Sequence, residues 1–278
     1  MVEAELRPTG LYSLRLSTWT DTWCATLPES RWATARQRPD GDVVVRASCE
    51  RAVAEARFLL ALDDDTSEFH RRFAGDPLLG PSVLALRGLR PRRTATVAHA
   101  TLRAVCGQLI QSREARDLER SVLRACGEDP PTREALARFS PAMLRRIGLA
   151  AGRAATLVRI ARTIDLEALR GAQPEVAPAR LLRERGFGPW SLGVVALQGL
   201  GRYDHGLVSD LGLVKIFASV HGRWPERADE TAELLAPYEE WQGLASVFLL
   251  AGFARGLVPG ASADRARLLR AAAHRRAA

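Results

Sequence analysis

The chain has 278 residues, 47% of them hydrophobic, and sets 40 basic side chains against 32 acidic ones for a net charge of +8. That length allows one large or two modest domains with cores of their own, and the basic balance favours an anionic partner without saying which. No apolar run approaches the roughly 18 residues of a membrane span and the first ten residues lack an apolar leader core; Cys24, Cys49, Cys106 and Cys126 show no C-x-x-C pairing, which argues against a zinc or iron–sulfur motif.

Tyr12, Leu14 and Leu16 alternate with Ser13, Arg15 and Ser17, a period-two pattern that predicts a strand over 12–19. A second alternating run, Trp32 to Gln37, passes through the turn Pro39-Asp40-Gly41 into Val43-Val44-Val45 and predicts a hairpin. Ser48 is placed to cap a helix starting near Cys49, with Val53, Ala56, Leu59 and Leu60 on its apolar face. The expected unit is a small antiparallel α+β domain over 1–85. Beyond the loop GLRPRRTAT the strand signals fade, and helical periodicity predicts an all-α region over 86–258. Its helices are expected over 97–112, 114–126, 133–147, 150–164, 178–185, 190–200, 210–220, 229–236 and 240–254. A basic helix over 259–278, opened by a serine cap, ends the chain.

The most informative stretch is Arg183-Glu184-Arg185-Gly186-Phe187-Gly188-Pro189-Trp190-Ser191. Gly186 suits the left-handed residue that ends a helix, and Pro189 suits the first position of the next, where its missing N–H costs nothing. Without side chains at Gly186 and Gly188 a phosphate can approach the backbone, and the following helix presents amides and the positive end of its dipole. Taken alone, a G-x-G before proline is also an ordinary helix connector. Downstream, Asp210 opens a segment with apolar Leu211, Leu213, Val214, Phe217 and Ala218, so it reads as an acid complementing a helix dipole, whose field keeps the carboxylate ionised.

In context, GFGPWSLGVVALQGLG (186–201) resembles the helix-hairpin-helix motif of the base-excision DNA glycosylase superfamily, and in particular its bacterial 3-methyladenine glycosylases. The likeness extends to AVCGQLIQS (104–112) and SDLGLVKIF (209–217), and covers roughly 86–256. It implies an α+β domain followed by the helix-hairpin-helix glycosylase fold, and double-stranded DNA containing a damaged base as partner. By the same resemblance the hairpin residues Gly186, Phe187, Gly188 and Ser191 contact DNA, Gln108 and Leu109 form the wedge that fills the space of an extruded base, and Asp210 is the catalytic carboxylate, with Asp204 as the alternative. Such a carboxylate stabilises the positive charge that builds on the deoxyribose as the bond to the base breaks.

Relatives that also nick the strand use a lysine amine where this chain has Trp190; the sole lysine here is Lys215, and no cysteine follows Cys126 to hold the iron–sulfur cluster some relatives carry. Hydrolysis alone is therefore expected, with no cofactor beyond a structural monovalent cation that the hairpin can hold. Trp190 is the candidate pocket wall for a cationic alkylated purine. Two further aromatic positions of the family pocket fall on Val194 and Gly252, which cannot stack; Phe187, Trp241, Phe248 or Phe253 would have to replace them, and His205 lies close to Asp210 in sequence. Alkylated purines such as 3-methyladenine are the expected substrates. Hypoxanthine or etheno adducts, and a catalytically silent protein that only binds damaged DNA, stay open. A cytoplasmic, nucleoid-associated monomer without membrane contact completes the expectation.

Overall fold

The computed structural model describes residues 1–108 and 112–277. Four strands, β1 (Val2–Leu6), β2 (Thr22–Leu27), β3 (Arg31–Gln37) and β4 (Val43–Ala47), form one antiparallel sheet in the order β1-β4-β3-β2. The expected hairpin is β3–β4, with Ala35 opposite Val45. Residues 12–19 do not form a strand: Ser13 Oγ accepts from the Leu16 amide and caps a short helix, α1 (Leu14–Thr18). Its buried residues, Leu14, Ser17 and Thr18, follow the three- and four-residue spacing of a helix. The sheet is completed by β1 and β2, whose inward residues include Leu6, Trp23 and Leu27.

Helix α2 (Glu50–Leu59) lies on the sheet through Val53, Ala56 and Leu59. Ser48 does not cap it; its hydroxyl accepts from the Trp32 amide instead. Two helices without a sequence expectation follow, α3 (Ser67–Phe73) and α4 (Gly80–Ala85). The loop after them straps the sheet to the helical part. Buried Arg90 donates to the carbonyls of Thr9, Leu11 and Ala61, while Arg93 pairs with Asp64 and donates to the carbonyls of Phe58 and Gly201. Tyr203 donates its hydroxyl to the same Asp64.

The remaining helices are α5 (Val97–Gly107), α6 (Ser112–Cys126), α7 (Arg133–Ala137), α8 (Pro141–Ile147), α9 (Ala151–Thr163), α10 (Val176–Leu181), α11 (Pro189–Val195), α12 (Leu211–His221), α13 (Thr231–Leu235), α14 (Gln242–Phe253) and α15 (Ala263–Ala277). The single helix expected over 133–147 is two, because Pro141 has no amide to donate: α7 stops at Ala137, and Ser140 recaps the chain with Pro141 at the first helical position. Helix α11 continues into a π-type turn over Ala196–Leu200, which Gly201 ends at φ +71°.

Three cores result. The first joins α5, α9 and α11 through residues such as Leu102, Leu157 and Val195. The second packs Phe69 and Phe73 of α3 and Val83 of α4 against Phe217 of α12 and Phe248 of α14, so it draws on both sides of position 85. The third lies between the sheet and α2. Together they fix the relative places of α5, α11 and α12, on which the candidate site is built. No helix among the described residues is long and apolar enough to cross a membrane.

Candidate active site

The hairpin runs from α10 to α11. Helix α10 ends at Leu181, earlier than expected, and Gly186 takes its left-handed conformation (φ +85°) within the connecting turn. A side chain there would be strained, and its Cβ would stand 2.7 Å from Thr156 Oγ1. The turn is fixed from outside. Thr156 and Arg159 of α9 donate to the Arg185 carbonyl at 2.8 and 2.7 Å, and Gln108 Nε2 donates to the Gly186 carbonyl at 2.8 Å and to Ser191 Oγ at 2.9 Å. Gly188 precedes Pro189 with open space where its Cβ would be. Helix α11 makes its first bond from the Leu192 amide to the Gly188 carbonyl, so the amides of Trp190 and Ser191 lie in the first turn, before intrahelical acceptors are available. Exposed Arg183 and Arg185 flank this opening.

This placement shows what several of these side chains touch. Phe187 is only 3% exposed and belongs to the first core, so its ring seats the turn and its main chain is the part left for a phosphate. Ser191 is 2% exposed, with its hydroxyl held by Gln108. The Gln108 amide group braces the hairpin, and Arg153 Nη1 of α9 donates to the Gln108 carbonyl at 3.1 Å. Leu109 lies outside the described residues.

Asp210 is the N-cap of α12, with extended backbone (φ −62°, ψ 136°). Its Oδ1 accepts from the Gly212 amide at 2.7 Å, and its Oδ2 accepts from Trp190 Nε1 at 3.0 Å. The cap thus satisfies a free amide of α12 while the indole of the hairpin helix fixes the second oxygen. The residue before it, Ser209, has φ +73°, a strained conformation for a side chain with a Cβ. Buried Thr231 holds it there, accepting from the Ser209 amide at 2.7 Å.

Two glycines make the contact possible. A Cβ on Gly107, the last residue of α5, would come within 2.6 Å of Trp190 Cη2; one on Gly212 would lie 2.3 Å from Leu250 Cδ2 and 3.1 Å from Asp210 Oδ1. Gly107, Thr231 and Leu250 were not singled out in the sequence. The only signal was that Gly107 stands beside Gln108 in the AVCGQLIQS stretch, since the contacts of all three cross long sequence separations.

The other candidates fall elsewhere. Asp204 is paired with Arg202, and His205 Nε2 lies 3.7 Å from the same carboxylate, with burial lowering the His205 pKa. Lys215 is exposed on α12. Val194 is buried in the first core, and Gly252 packs so closely on α4 that a Cβ would overlap Ser82 Oγ at 1.9 Å. Phe248 is fully buried in the second core. The described residues contain no group of three metal-ligating side chains.

No protein-family model matches the chain. It is 28% identical over 206 residues to the DNA-3-methyladenine glycosylase of Bacillus subtilis, a match covering 68% of this chain and 67% of the relative. It is 30% identical over 176 residues to the probable bifunctional transcriptional activator/DNA repair enzyme AlkA of Mycobacterium tuberculosis, covering 58% of this chain and only 35% of that longer protein. In structure it is similar to the 3-methyladenine DNA glycosylase of Archaeoglobus fulgidus (TM-score 0.75, 21% identity, 92% of this chain and 99% of that one). It is also similar to the Clostridium acetobutylicum 8-oxoguanine glycosylase/lyase bound to double-stranded DNA (TM-score 0.71, 16% identity, 93% and 99%).

Proposed function

We propose that this chain, which has the helix-hairpin-helix glycosylase fold and resembles 3-methyladenine DNA glycosylases in sequence, is a DNA glycosylase of base-excision repair that hydrolyses the bond between deoxyribose and a damaged purine. The observation that carries this reading is the Asp210 carboxylate, partly buried and held by one amide and one indole N–H beside a hairpin that is open at Gly188. Phosphate binding by the hairpin has no use for such a carboxylate; breaking an N-glycosidic bond does. As the base leaves, positive charge grows on the sugar, and a fixed carboxylate stabilises it without reorganising. Two of the roughly four acceptor positions of the carboxylate are engaged, leaving capacity for the sugar or an attacking water.

The hairpin supports the rest of the proposal. Arg183, Arg185 and the first amides of α11 would grip a phosphate irrespective of sequence, holding duplex DNA while the damaged nucleotide is turned out of the stack. The Trp190 ring would serve as one wall for the extruded base. With Trp190 at the hairpin and Lys215 exposed, no amine is placed for Schiff-base chemistry, so simple hydrolysis is the expected outcome. A monovalent cation at the hairpin would be held by main-chain oxygens. Those of Arg185 and Gly186 already accept side-chain donors and those of Glu184 and Gly188 accept main-chain amides, so over 184–188 the Phe187 carbonyl is the one without a donor among the described residues, and no step of the chemistry depends on the ion.

Alkylated purines fit a wall that stacks on electron-poor rings. A second reading, a neutral deaminated or etheno purine, is favoured by one observation: the side chain over the Asp210 turn is aliphatic Leu250, while Val194 and Gly252 supply no aromatic surface. Both readings are tested with duplex oligonucleotides carrying single lesions, treated with wild type and with Asp210→Asn, then with alkali to cut at abasic sites. The wild type should release a base, and the variant should be slower by about 10²- to 10³-fold. A wild type that binds DNA yet releases no lesion, or a fully active variant, overturns the proposal.

A further inference from the structure

A cleft of about 540 Å³ lies between the edge strand β2 and the start of α5, where the sheet meets the helical part. Ligand pockets commonly span about 300–1,000 Å³. The cleft is lined by Trp32, Arg92, Arg103 and Asp129, among others. Trp32 is 39% exposed, on the face of β3 opposite to buried Ala33 and Ala35, so its ring is accessible from the cleft. Arg103 donates to Glu119 at 2.9 Å and to Gln198 at 2.8 Å, and Glu119 also bonds to His99, so one carboxylate serves two basic groups. Among the described residues, neither Arg92 nor Asp129 makes a side-chain hydrogen bond or ion pair. Three guanidinium groups therefore line this concave site: those of Arg93 and Arg103 are paired with Asp64 and Glu119, and that of Arg92 has no such partner among the described residues.

We propose that this cleft binds a phosphorylated nucleoside at a site separate from Asp210. A phosphate placed on Arg92 supplies the missing counter-charge, in the forked geometry that guanidinium groups favour. A flat base can lie against the Trp32 indole, and Asp129 offers an acceptor to a ring N–H or exocyclic amine. An acidic peptide would match Arg92 but use neither the indole nor the carboxylate. The cleft and the candidate active site lie toward opposite ends of α5: His99 lines the cleft and Gly107 meets Trp190. Eight residues separate them, about 12 Å along the helix at 1.5 Å per residue.

The test is calorimetric titration of the whole protein with 2′-deoxyadenosine monophosphate, 2′-deoxyadenosine and inorganic phosphate. The nucleotide should bind saturably, and each of the other two at least roughly tenfold more weakly. Arg92→Ala and Trp32→Ala should each weaken nucleotide binding by roughly tenfold or more; both side chains are exposed, so unchanged thermal unfolding serves as the folding control. Asp210→Asn should bind the nucleotide as wild type does, which keeps this result independent of the glycosylase reading. Absence of saturable binding, undiminished binding by Arg92→Ala, or inorganic phosphate binding as tightly as the nucleotide overturns the proposal. Displacement of the nucleotide by undamaged duplex overturns it as well, by assigning the cleft to the DNA surface.

Discussion

Replacing Gly107 with alanine should disable the candidate site while leaving Asp210 itself and the hairpin glycines unchanged, because it pushes on Trp190. The added methyl would stand 2.6 Å from Trp190 Cη2, whereas carbon atoms rest about 3.5–4.0 Å apart, so the indole has to retreat by roughly 1 Å. A retreat of that size along the bond direction would stretch the 3.0 Å contact from Trp190 Nε1 to Asp210 Oδ2 beyond hydrogen-bonding range. Overpacking of this kind costs about 1–3 kcal/mol, partly offset because alanine is the better helix former. The larger effect should fall on turnover, since a displacement of about 1 Å in a catalytic group can cost about 10²-fold. The assay is single-turnover base release from an alkylated duplex, with DNA affinity and thermal unfolding measured in parallel. Slow release with affinity intact is expected. If Gly107→Ala releases base at the wild-type rate, the Trp190–Asp210 contact is not needed for the chemistry.

Asp210→Ala should lose about 1 kcal/mol of stability through the lost cap of α12, while Asp210→Asn should unfold as wild type does; chemical denaturation separates the structural role of this residue from its chemical one. Asp64→Ala strands the buried Arg93 charge and removes the acceptor for Tyr203, so urea titration should show a loss of about 3–5 kcal/mol. Burial alone would raise the Glu119 pKa, but the His99 hydrogen bond and the charge and hydrogen bonds of Arg103 outweigh it, bringing the carboxyl from 4.5 down to about 2. Because the folded-state value is the lower one, this carboxylate stabilises the fold above about pH 4.5, and its contribution fades as pH falls through about 2. The melting-temperature gap between wild type and Glu119→Gln, clear at neutral pH, should narrow across that window. Gly252→Ala should destabilise by about 1–3 kcal/mol through its clash with Ser82, and comparing released bases should show no change in lesion preference.

Much of the local framework can be read along the chain because it depends on near neighbours. The β3–β4 hairpin follows from alternation around Pro39-Asp40-Gly41, and the hairpin between α10 and α11 from Gly186 and Pro189. The misreadings have local causes too. Over 12–19, alternation and helical spacing share Leu14, and the Ser13 cap decides for the helix. Over 133–147, the apolar period runs on through Pro141, where the missing amide breaks the ladder.

The site divides in the same way. Local capping and turn preferences were enough to mark Asp210 as the acid opening a helix and Gly186 and Pro189 as a helix connector, while the chemical roles expected of Asp210 and Trp190 came from the resemblance of three separated motifs to the glycosylases. Tertiary structure alone decided that Trp190 donates to Asp210, that Gly107 leaves room for it, and that Gln108 braces the hairpin across 78 residues of sequence. It also turned Phe187, Val194 and Gly252 into packing residues. The physical reason is that a side chain's role depends on which distant surface it meets, and the packing of α5, α11 and α12 makes that choice.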